Sequence, residues 1–169
     1  YSLMLERGYR AHQIYMGKLY ETTVIAAISY LLYVVVSLIA GALFWHGTIE
    51  REDVTGFIRV FLLMLIMYVV SSYIYMAVAM NVKNAGMAAA INLIIVLLFS
   101  TVITGLDQIF ADGEAVLRKY WLLSAIEQFA YIDHTATTMQ ETIIGLIEAV
   151  IYGGLAVFIG NTVFIKKKR

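Results

Sequence analysis

The chain has no cysteine and no proline among its 169 residues. Without cysteine, neither a disulfide framework nor a thiolate metal site can form. Without proline, a discontinuous helix of the transporter kind has to rely on glycine. Charge is scarce as well: 14% of residues are charged, against about 25% in an ordinary soluble domain. Twelve Lys and Arg balance twelve Asp and Glu, so net charge points to no partner. What is abundant is apolar: 62% of the chain is hydrophobic. That excess excludes an ordinary water-soluble domain and intrinsic disorder.

The few charges punctuate the chain. Between Glu21 and Glu50 lie 28 residues without Asp, Glu, Lys or Arg. Their apolar part, Thr23 to Trp45, would be ~34 Å long as a helix, enough to cross a hydrocarbon core of ~30 Å. Val60 to Val82 and Asn84 to Leu106 are uncharged runs of 23 residues each, and Ile143 to Ile165 contains one acid, Glu148. Backbone groups in lipid must be satisfied within a helix or a closed barrel. Barrel strands alternate polar and apolar residues and these runs do not. The first run is too long and too late for a signal peptide. The expected fold is therefore all-α, a polytopic bundle of four spans.

Basic residues give the orientation. Arg7, Arg10, Lys18, Lys83, Lys166, Lys167, Lys168 and Arg169 fall before the first span, between the second and third, and after the fourth. Only Arg51, Arg59, Arg118 and Lys119 fall on the other side, beside nine acids from Glu50 to Glu141. The positive-inside rule places both termini in the cytoplasm of a multi-pass cell-membrane protein. Trp45 and Trp121 fall at outer boundaries, where an aromatic belt is expected. The expected organisation is an amphipathic cytoplasmic helix over 1–22, three spans over 23–106, an extracellular connection over 107–142, and the last span with its basic tail over 143–169.

The turn at Lys83 is short, so the second and third spans form a tight antiparallel pair. The outer connection is long, and its stretch Val116 to Tyr131 is rich in Tyr, Trp, Leu and Phe. Its longest uncharged stretch, Tyr120 to Ile126, is too short to cross, so the segment reads as an interfacial or shallow re-entrant helix, or as a plain extracellular helix over the spans. In the amino-terminal stretch, Leu5, Tyr9, His12, Met16 and Leu19 recur at helical spacing on one face, with Arg7, Arg10 and Lys18 off it. Such a helix rests on anionic lipid or docks a soluble partner.

Catalytic constellations are scarce. His12, His46 and His134 do not pair at i, i+4, and no HExxH, GxSxG or GxxxxGK[ST] pattern is present. Asp133-His134 reads as a solvated loop pair. Glu127, Asp133 and Glu141 match no calcium-loop spacing and read as an acidic surface. No enzyme activity and no metal are expected. Glu148 is more informative. It lies about five residues inside the last span, roughly 8 Å deep, where a carboxylate facing lipid is costly. It lines a path or snorkels to the headgroups.

Polar stripes mark two spans: Tyr68, Ser71, Ser72 and Tyr75 in the second, and Tyr30, Tyr33, Ser37 and Gly41 in the first. Asn92, Ser100 and Thr104 add polarity to the third. Such faces turn toward other helices, for packing, dimer contact or a substrate path. Tyr68, Ser71, Ser72, Tyr75, Asn92 and Glu148 are the path candidates. Gly145, Ala149 and Gly153 form a small-xxx-small packing seam, and Gly160 extends a similar face. The tail Lys166 to Arg169 meets anionic lipid. Nothing suggests nucleic-acid binding.

The stretch Gly8-Tyr9-Arg10-Ala11-His12-Gln13-Ile14-Tyr15-Met16-Gly17-Lys18 resembles the cytoplasmic loop that precedes a span in ABC-2-type transporter permeases. The tight inner turn, the long outer connection and the basic tail are similar to that family's carboxyl-terminal part. The resemblance implies a permease subunit of an ATP-driven exporter, holding spans three to six of the usual six. Gly8, Arg10, His12, Ile14, Gly17 and Lys18 would couple to a separate ATPase subunit that binds the ATP and Mg. A second permease half would complete the path. The alternative is a non-transporting membrane protein with an immunity, scaffold or assembly role.

Overall fold

A computed structural model describes residues 4, 6–44, 51–110, 117, 120–122 and 139–168. Among the described residues the regular structure is helical throughout. It consists of α1 (Ala11–Phe44), α2 (Arg51–Asn81), α3 (Ala85–Phe110) and α4 (Met139–Lys168). Each contains a segment long and apolar enough to cross a bilayer, the architecture of a multi-pass membrane protein. Trp45, His46, Glu127, Asp133, His134 and Glu141 lie outside the residues whose side chains are described.

Local chemistry sets the helix starts. Gly8 takes a φ of 85°, the left-handed conformation open to glycine. Tyr9 N donates to Met4 O at 3.1 Å, the six-to-one bond of a Schellman turn. The chain then starts α1, where Gln13 Oε1 accepts from Arg10 N at 2.9 Å, half of a capping box. At the start of α3, Asn84 Oδ1 accepts from Gly86 N at 2.8 Å, an N-cap that makes the short link after Asn81 possible.

α2 and α4 form the centre. They run parallel, since Gly145 meets Leu63 and Met67, Gly153 meets Val70, and Gly160 meets Ala77. Between these glycines Ala149 is buried in a cluster with Leu63, Met67, Val70 and Leu122. Small residues let the backbones approach, which is how helices gain contact in a solvent as apolar as their own side chains. The approach is closest at Gly160. A methyl there would collide with the Tyr15 hydroxyl and sit 2.8 Å from Ala77 Cβ.

α1 runs antiparallel to both central helices. Tyr30 packs on Phe61 and Tyr68, Thr23 Oγ1 and Tyr73 OH share a hydrogen bond of 2.9 Å, and Ile14 and Tyr15 join Met76, Met80 and Phe164 in a second core cluster. Both termini of the helical bundle thus lie at one end, called proximal below. α3 packs on α2. The central helices bury 28% of their most apolar windows, α1 only 11% and α3 only 6%, so the flanking helices present most of their surface outward.

The amino-terminal region differs from the sequence expectation in two ways. Residues 11–22 form no separate element: α1 continues without a break for 34 residues, ~51 Å, well beyond a hydrocarbon thickness. The face that packs is also different. Ile14 and Tyr15 are buried and Ala11 and Leu19 partly so, whereas Tyr9 is 56% exposed and Met16 and His12 are exposed. The groove between α2 and α4, opened by Gly160, selects the face that the Tyr15 ring can fill.

Gly160→Ala is expected to destabilise the bundle by about 1–3 kcal/mol through overpacking. Gly41→Ala, whose added methyl meets nothing within 4 Å, is expected to be neutral or slightly stabilising. Thermal unfolding in detergent compares the two, and equal midpoints would contradict the close approach.

Candidate functional site

Among the described residues, three places carry polar or aromatic chemistry. The first is the proximal end. Gly8, Arg10 and Gly17 are exposed. His12 Nδ1 lies 3.3 Å from Asn161 Oδ1 on α4. Lys18 Nζ pairs with Glu21 along α1 at 2.5 Å. Ile14 is in the core beside Tyr15. Of the six residues expected to couple to an ATPase, Gly8 and Arg10 therefore stand on the turn before α1, His12 faces α4, and Ile14 holds the helix on the bundle.

The second place is the polar set along the spans. Tyr68 turns to α1, with its ring 5.7 Å from that of Tyr30. Ser71 and Ser72 donate to Met67 O and Val69 O of their own helix, at 2.9 and 2.6 Å. Asn92 Nδ2 reaches Tyr75 O at 3.4 Å and so ties α3 to α2. Glu148 is 8% exposed on α4. The described contacts join Tyr75 to Asn92; they do not gather the six path candidates around one opening. The first-span stripe divides, with Tyr30 buried and Tyr33, 69% exposed, facing outward with Ser37 and Gly41.

The third place is the connection after α3. Asp107, 1% exposed, accepts from Leu117 N at 2.7 Å. Trp121 stacks on Phe99 of α3 at 5.3 Å and meets Tyr152 of α4 edge-on at 5.7 Å. Tyr152 OH donates to Tyr120 O at 2.9 Å. Leu122 is fully buried with Leu63, Met67, Val70 and Ala149. The spans Gly56–Asn81, Ala85–Phe110 and Thr142–Lys167 have their midpoints near residues 68, 97 and 154. Met67, Phe99 and Tyr152 all lie close to those midpoints. Residues 120–122 of the connection thus lie level with the middle of these spans.

Sequence reading missed four of these roles. Tyr15 and Leu122 sit among similar apolar residues and give no local sign of their partners. Asp107 looks like a span boundary, yet its carboxylate is buried and anchors the connection. Asn81 bridges two helices, donating to Ala77 O at 2.8 Å and to Gly160 O at 3.1 Å, while Lys167 Nζ donates to Asn81 O at 2.6 Å. An amide at the last residue of an apolar helix, in a chain that ends in a basic tail, was the available signal.

No family model, no curated protein and no solved structure matches the chain.

With Trp45 replaced by phenylalanine, Trp121 is the sole tryptophan. Its emission is expected to be blue-shifted and quenched most strongly by lipids brominated deep in the acyl chain. Strongest quenching at headgroup level would place the connection on the surface instead.

Proposed function

We propose that this chain is part of a permease subunit of an ATP-driven exporter of the ABC-2 type. Its proximal end faces the cytoplasm, and ATP and Mg are bound by a separate ATPase subunit. The observation that carries the reading is mechanical. The exposed turn with Gly8 and Arg10 leads directly into a helix whose first turns are locked into the bundle. Tyr15 and Phe164 are fully buried against each other, with ring centroids 6.0 Å apart. Tyr15 OH reaches Ala156 O at 3.5 Å, and Met76 and Met80 of α2 complete the contact. A displacement applied at the turn would therefore be carried to α2 and α4 together, as gating between discrete states requires. The largely uncovered faces of α1 and α3 suit further spans and a second permease half.

A second reading, a non-transporting scaffold or immunity protein, draws support from Ser71 and Ser72, whose hydroxyls are spent on their own helix. The two readings part on nucleotide. In a co-expressed pair, the chain and an ABC ATPase are expected to co-purify, and Arg10→Glu is expected to lower both association and ATP-dependent export about tenfold while leaving the melting temperature unchanged. Unaltered association and export in Arg10→Glu would refute the coupling assignment, and function retained with a hydrolysis-dead ATPase would favour the scaffold.

A further inference from the structure

The aromatic group around Trp121 has a chemical character that packing alone does not require. Phe99, Trp121 and Tyr152 come from three separate segments and meet near the middle of the bundle. Glu148 precedes Tyr152 by four residues, so the carboxylate and the phenol share one face of α4. Glu148 is 8% exposed, and the residue beside it, Ala149, is covered by Leu122 from the same connection. An acid held within a membrane span marks a functional site by default.

We propose that this group is a binding site for a lipophilic cation, a quaternary ammonium or protonated amine on an apolar body. Two independent features favour that class. Aromatic faces attract cations through the ring quadrupole, and three rings converge here. A buried carboxylate in a medium of low dielectric favours cations and rejects anions far more strongly than it would in water. The route of access is the seam between α3 and α4. The Trp121 ring lies between Phe99 of α3 and Tyr152 of α4, and Phe99 is still 47% exposed beside it.

As a substrate site this deepens the exporter reading and rests on it; as a binding site it can be tested without nucleotide or ATPase. The full chain with Trp45→Phe, in lipid nanodiscs, is titrated with tetraphenylphosphonium and with tetraphenylborate, ions of like shape and opposite charge. Trp121 fluorescence is the readout. The cation is expected to quench saturably and the anion is not. Glu148→Gln is expected to raise the dissociation constant for the cation at least tenfold, whereas Glu148→Asp stays within about threefold. If Glu148→Gln does not fold, as judged by its melting curve, Tyr152→Leu takes its place and is expected to weaken the cation by about fivefold. Equal quenching by both ions, no saturable quenching by the cation, or cation affinity unchanged in the folded variant would each overturn the site. Cation binding in a chain that never associates with an ATPase would leave the site standing and remove the exporter reading.

Discussion

Close approach of α2 and α4 is the constraint on which the rest of the structure depends. In lipid there is no hydrophobic driving force between helices, so contact has to come from dispersion at short range and from hydrogen bonds across the seam. Gly145, Ala149, Gly153 and Gly160 leave one face of α4 almost without side chains. Leu63, Met67 and Val70 fill the space this leaves. At the proximal end Asn81 adds a hydrogen bond from α2 to the Gly160 carbonyl. Lys167 then caps the end of α2 by donating to the Asn81 carbonyl, the favourable place for a cation at a helix C-terminus.

The remaining elements attach to this pair. α1 is held where Tyr15 fits against Gly160, and the connection is held where Leu122 fits against Ala149 and Met67. These are two separate core clusters, one proximal and one near mid-depth. The arrangement joins the exposed turn at Gly8 and Arg10 to the aromatic group around Trp121 through a single rigid pair. That is the physical content of the exporter proposal: the proximal turn would receive a displacement, the mid-depth aromatic group would hold the ligand, and α2 with α4 would link them.

Much of this was legible in the sequence, for identifiable reasons. The four spans follow from uncharged runs, because a charge in hydrocarbon is expensive wherever it falls. The short link at Lys83 follows from two such runs with almost nothing between them. The four-residue spacing of Gly145, Ala149 and Gly153 was readable because only small residues permit such contact. The packed face of the amino-terminal turns was not readable. In a chain that is apolar on all sides, periodicity carries little information, and Tyr15 is buried because of Gly160, 145 positions away in sequence. The depth of Leu122 was hidden for the same reason. Asp107 misled because a charge usually marks the edge of a span, and here the Leu117 amide partners it inside.

The parallel pairing of α2 with α4 can be tested directly because the chain has no cysteine of its own. In native membranes, the double variant Val70→Cys with Gly153→Cys should form a disulfide on mild oxidation, and Leu63→Cys with Gly160→Cys should not. Efficient cross-linking of the second pair, or none of the first, would contradict the seam and everything attached to it.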